Sequence, residues 1–195
     1  MQNRLSFVST VARGLWLAGL VFGLVQGGVA QGEKSAEELA KESEAACIAS
    51  ASTKVTQALI VEKVTKACAL LEKEGKAAFG KFKGKDSEFI FAGTYIWIND
   101  LDGTMLMHPI KYKMDGQPLL GMQDTKGKKF FVEMIDLCKS KGSGWSDYLW
   151  PKPGSKESSV KVSFVKKAVC DGTDVLVGCG VYDMVPEDIK KLVGP

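Results

Sequence analysis

The sequence predicts an α+β domain in which one long N-terminal helix precedes an antiparallel sheet of about five strands. Three observations carry that expectation. Residues 33–74 are rich in Ala, Glu, Lys and Leu and contain neither Pro nor Gly, which is the composition of a helix. After Gly84 the chain changes to short runs of β-branched and aromatic residues separated by turn residues. Only one later stretch, Lys128 to Lys139, has helical periodicity, so helices do not alternate with strands as a parallel sheet requires.

Ahead of the helix, Arg4 and Arg13 precede the apolar run Gly14 to Val25, which ends in Gly28-Val-Ala30. A run shorter than the ~20 residues of a membrane span, followed by small residues, is the layout of a secretory signal peptide. Cleavage is expected before Gln31, which places the rest of the chain in the periplasm. The alternative is an uncleaved inner-membrane anchor with the same outward-facing domain. Three segments are therefore expected: a signal peptide at 1–30, a helical extension at 31–50 and one domain at 51–195. No second apolar stretch of spanning length follows and the sequence stops at Pro195, so the chain is expected to act alone, without its own cytoplasmic output, and to pass any signal to a membrane-bound partner.

Charge narrows the partners. Removing residues 1–30 takes two arginines, leaving 24 Lys+Arg against 23 Asp+Glu, a balance that argues against nucleic acid. The five cysteines, Cys47, Cys68, Cys138, Cys170 and Cys179, include no C-x-x-C or zinc spacing, so neither a metal nor any other cofactor is expected. They read as buried core residues or structural bridges. Cys47 and Cys68 lie ~31 Å apart along one continuous helix and can pair only if it breaks.

Along the helix, Val55, Leu59, Val64, Cys68 and Leu71 recur at helical spacing and give its second half a buried stripe. The Ala-rich first half is expected to project or to pair with a second copy in a homodimer. Gly75 is a plausible stop. Phe89 to Asn99 alternates as a buried strand, Asp100-Leu-Asp-Gly-Thr104 supplies a turn, and Met105 to His108 returns. A loop containing Pro109, Gly116, Pro118 and Gly121 leads to the second helix, whose stripe is Phe130, Phe131, Met134, Ile135 and Cys138. Strands follow at 144–150, 160–169 and 175–182, the last two joined by the hairpin signal Asp171-Gly-Thr-Asp174.

Two constellations bear on chemistry. Asp100-Leu-Asp-Gly-Thr-Met-Leu106 matches the nucleophile motif of haloacid-dehalogenase-type phosphatases, in which the first Asp attacks and the second moves the proton. That chemistry needs a further acidic pair and a parallel sheet, neither of which the sequence offers, whereas D-x-D-G also suits a tight turn. His108 is the only histidine and no G-x-S-x-G elbow exists, so nucleophilic triads lack their parts. The second constellation is a crowd of aromatic residues with polar tips, Tyr95, Trp97, Trp145, Tyr148, Trp150 and Tyr182, on strands that also carry Lys161 and Ser163. Aromatic walls with one cation and a few donors would hold a carboxylate away from water. Equally, such rings fill cores.

Five segments in order, Tyr95 to Pro109, Gly127 to Met134, Gly144 to Gly154, Lys161 to Lys166 and Gly178 to Tyr182, resemble the single Cache domains of bacterial extracytoplasmic sensors and chemoreceptors. The resemblance implies a long helix on one face of a PAS-like antiparallel sheet and, on the other face, a pocket for a small organic ligand, often a short carboxylate. It implies binding rather than catalysis. Carried onto this sequence, the ligand residues are Tyr95, Trp97, His108, Trp145, Tyr148, Trp150 and Lys161, with Lys161 and His108 at the anionic end and the aromatics as walls. The competing reading is a structural module whose pocket is filled by its own side chains and which assembles through the long helix.

Overall fold

The computed structural model describes residues 34–193, so the expected signal peptide lies outside the described residues. The helix foreseen at 33–74 is two helices, α1 (Ala36–Ala49) and α2 (Gln57–Glu74). The cause is the polar run Ser50-Ala-Ser-Thr-Lys-Val-Thr56, whose first and last hydroxyls bond the backbone instead of letting the helix continue. Ser50 Oγ donates to the Cys47 carbonyl at 3.0 Å and accepts from Gly93 N at 3.2 Å. Thr56 then caps α2 by accepting from Leu59 N.

The first half does not project. Ser43 Oγ accepts from Gly84 N at 2.8 Å, Glu44 accepts from Gly154 N at 2.9 Å, and Cys47 is wholly buried. These bonds tie α1 to two distant loops. The break also frees Cys47 and Cys68 from the spacing argument, yet all five cysteines are buried free thiols.

The strands are β1 (Ile90–Phe91), β2 (Thr94–Asp100), β3 (Met105–Met107), β4 (Ser143–Pro151), β5 (Ser158–Cys170) and β6 (Thr173–Tyr182). They form one antiparallel sheet in the order β1-β2-β6-β5-β4, with β3 paired to β2. The stretch 89–99 is kinked rather than one strand, because Ala92 and Gly93 both take positive φ, 46° and 74°. β1 therefore folds back on β2, with Ile90 opposite Tyr95. Helix α3 (Phe130–Lys141) lies where its stripe predicts, and α4 (Pro186–Val193) follows β6 with no counterpart in the sequence reading.

Period-two alternation sorts the side chains onto two faces. Ile96 and Ile98 of β2 and Val175, Val177 and Cys179 of β6 join Ile60, Val64, Ala67 and Leu71 of α2 in one buried cluster. Tyr95 and Trp97 of β2 and Leu176 of β6 join Phe130, Phe131, Met134 and Cys138 of α3 in another, which also takes in Cys47. The sheet is thus packed on both faces, and the second contains the polar aromatics.

Candidate functional site

Lys161 is the unusual residue of the second face. It is only 1% exposed, because β5 directs 161, 163 and 165 toward α3 and the loop before it. No carboxylate among the described residues forms an ion pair with it. Its ammonium donates to Tyr95 OH at 3.2 Å and lies 4.3, 5.1 and 5.1 Å from the ring centres of Tyr95, Trp97 and Tyr182. Three π-faces are weak substitutes for water or an anion. Burial accordingly pulls the Lys161 ammonium down from 10.5 to about 7.

Two glycines make room for this arrangement. A side chain at Gly180 would strike Ser163 Oγ and Lys161 Cε, and one at Gly178 would strike the Trp97 indole. Both sit on β6, directly beneath the residues they accommodate, with Gly180 opposite Ser163. In the sequence they look like ordinary strand glycines; the signal that marks them is glycine on alternate positions of one strand face.

His108 is the second polar group. Its Nδ1 accepts from Ile110 N at 3.2 Å and from Lys111 N at 2.9 Å, so the proton of the neutral ring resides on Nε2. Burial and the neighbouring lysines hold it well below 6.5. His108 is therefore a neutral donor at Nε2, with no charge of its own to offer an anion. Its backbone N–H is held by Asp115 at 2.7 Å, and Asp115 is paired with Lys83.

The aromatic walls interlock. Trp150 Nε1 donates to Tyr95 OH at 3.2 Å, Tyr148 OH pairs with Ser163 Oγ at 3.1 Å, and Phe130 stacks on Tyr148 with centres 4.4 Å apart. Together Tyr95, Trp97, His108, Tyr148, Trp150 and Lys161 surround a cavity of about 10 Å³ that Phe130 and Phe131 complete. That is room for about one water. Every wall residue is buried except Trp150, which is partly buried. Lys111 lies against it, its ammonium 4.2 Å from the ring centre.

Six of the seven expected ligand residues thus come together, and Trp145 does not. Its side chain leaves β4 on the opposite face from Tyr148 and Trp150, meets Phe164 at 5.2 Å and packs into the α2 cluster. The reason is the odd spacing of 145 from 148 along one strand. Phe130 and Phe131 are cavity walls that the sequence shows only as the apolar stripe of α3.

Two other places compete for attention. A groove of about 770 Å³ lies between the α1–α2 connection, Ala92-Gly93 and the end of β6, lined by Ile48, Val55, Val181, Tyr182 and Val185 among others. It holds no buried charge. The Asp100 segment is a turn: Asp100 Oδ1 accepts from Asp102 N at 3.1 Å and Thr104 N at 2.7 Å. With the acid spent on the turn and the sheet antiparallel, the phosphatase reading loses its geometry.

Residues 53–191 match the Cache domain family. The chain belongs to that family. Over 100 residues, half of this chain, it is 40% identical to methyl-accepting chemotaxis protein McpP of Pseudomonas putida. Over 88 residues, 45% of this chain, it is 34% identical to sensor histidine kinase MctS of Rhizobium johnstonii. Each stretch is 18% of the relative's own length, so the likeness is to one domain of larger receptors. Among solved structures, a Cache chemosensory domain described for its recognition of carboxylic acids superposes with a TM-score of 0.54 at 31% identity, covering 66% of this chain and 91% of that one. A methyl-accepting chemotaxis protein from Vibrio parahaemolyticus shares the fold, with a TM-score of 0.53 at 21% identity over 78% of this chain and 99% of that one. This Cache chain is accordingly a sensor-type ligand-binding domain, with helices on an antiparallel sheet. No helix among the described residues is long and apolar enough to cross a membrane.

Proposed function

We propose that this Cache chain binds a short carboxylate at Lys161, outside the cytoplasmic membrane, and passes occupancy to a membrane-bound receptor or kinase partner without catalysing a reaction. The observation that carries the reading is a wholly buried lysine with no acid to pair with. Leaving such a group uncompensated costs stability, and an incoming carboxylate would supply the missing charge. His108 Nε2–H would add a neutral donor, and the rings would keep water out, which strengthens the ion pair. The carboxylic acid recognition described for the structural relative points the same way. Export is supported by the charged, short apolar leader of the sequence.

A cavity of about 10 Å³ does not hold a carboxylic acid as it stands, so the rings must part. Trp150, the one wall residue that is partly exposed, is the wall that would move. The same smallness favours the second reading, a structural module filled by its own side chains. A thermal-shift series separates the two. Acetate, propionate and pyruvate at 100 times their Kd would each stabilise a binding domain by about 2.7 kcal/mol. No shift with any short acid up to the highest soluble concentration would leave the filled-module reading standing.

A further inference from the structure

We propose that Lys111 is a second anion-binding residue of this site, standing at its mouth, and that the site takes dicarboxylates of about four carbons as well as monocarboxylates. The inference rests on the carboxylate reading above and extends it.

The mouth is located by exposure. Of the eight residues around the cavity only Trp150 reaches solvent, so a ligand enters past its indole. Lys111 sits on that indole, partly buried, and none of the ion pairs among the described residues includes it. Acids elsewhere on this side are engaged: Asp115 with Lys83, Glu44 with Gly154 N, Asp124 with the amides of Lys126, Lys128 and Leu149. Lys111 also depresses the protonation of both Lys161 and His108; burial lowers its own, and the Glu44 carboxylate nearby raises it. Two ammoniums, neither of them in an ion pair among the described residues, therefore flank the Tyr95 hydroxyl and the Trp150 indole.

A monocarboxylate answers only one of them. Lys161 reaches Tyr95 OH, Tyr95 OH takes the Trp150 N–H, and the Trp150 ring carries Lys111. One hydroxyl and one indole stand between the two cations, so a ligand that answers both must carry two carboxylates on a short link. The second carboxylate would rest at the mouth, where Trp150 turns aside, so the inner cavity need admit only the first. The flexible lysine stem lets the ammonium move from the indole face to the ligand. The backbone of Lys111, which fixes His108, is unaffected by changing its side chain.

The test is calorimetric titration of the wild type, Lys111→Met, Lys111→Arg and Lys161→Met with propionate and with succinate, each variant first shown to melt cooperatively. Lys111→Met is expected to weaken succinate at least ten-fold, the loss of one charge-assisted hydrogen bond, and propionate less than about three-fold, while Lys111→Arg retains succinate. Lys161→Met is expected to lose both acids. Equal weakening of the two acids by Lys111→Met, or propionate binding with no succinate binding in the wild type, overturns the role of Lys111 and leaves the Lys161 reading intact. Failure of both acids to bind the wild type overturns the two together.

Discussion

Raising the pH through 7 weakens carboxylate binding, because the group that receives the anion loses its proton there. Lys161 titrates at about 7 in the empty domain, whereas a ligand carboxyl titrates near 4 and stays charged throughout. The thiols, hydroxyls and imidazole facing Lys161 do not interfere between pH 7 and 9. Burial pushes the Cys47 and Cys179 thiols up to about 12 and about 11, moves the Tyr95, Tyr148 and Tyr182 hydroxyls up, and keeps His108 neutral. If only the ammonium binds, Kd rises about ten-fold per pH unit above 7, so pH 9 costs about 2.7 kcal/mol relative to the acid plateau. Titration calorimetry at half-unit steps from pH 6 to 9, in buffers of differing ionisation heat, reads both the slope and the proton uptake. The expected result is a flat Kd below pH 7, a unit slope of log Kd above it, and about one proton taken up per ligand at pH 8. A Kd constant within about three-fold from pH 7 to 9, or binding without proton uptake, refutes the role given to Lys161.

The same lysine sets the stability of the empty domain. Its folded midpoint lies below its unfolded 10.5, so the unfolded chain holds more protons between pH 7 and 10.5. Denaturant stability is therefore expected to rise with pH across that window, and Lys161→Met is expected to be more stable at pH 7 by about 2–4 kcal/mol, raising Tm by about 5–10 °C while abolishing binding. Gly180→Ala drives a methyl into Ser163 Oγ and Lys161 Cε; a loss of about 1–3 kcal/mol in chemical denaturation and at least ten-fold weaker binding are expected. Trp145→Phe is expected to lower stability by about 1 kcal/mol yet leave Kd unchanged within two-fold, since Trp145 packs on the α2 face. Ser43→Ala strands the buried N–H of Gly84 and is expected to cost about 1–3 kcal/mol, with faster amide exchange along α1.

Strand periodicity and turn residues made β2 to β6 and α3 legible, because alternation and the 100–104 and 171–174 turns are local signals. Composition alone hid the α1–α2 break: Ser50 and Thr56 are tolerable in a helix until their hydroxyls find backbone partners. The site was legible as a set of residue types, and register decided its membership. Tyr148 and Trp150 share a face that Trp145, three residues before Tyr148, does not. Gly178 and Gly180 matter through what they leave empty: their alternate spacing marks one face of β6, and only the structure shows that Trp97 and Lys161 fill it. The tautomer of His108 comes from two amides, Ile110 and Lys111, that meet Nδ1 only because the chain turns after Met107.

The most direct measurement is a crystal structure of the domain grown with propionate near pH 6.5. A carboxylate oxygen is expected about 2.7–3.2 Å from Lys161 Nζ, with Trp150 displaced and His108 Nε2 turned toward the ligand. Density for the acid anywhere else, with the rings still closed over an unpaired Lys161, would contradict the account.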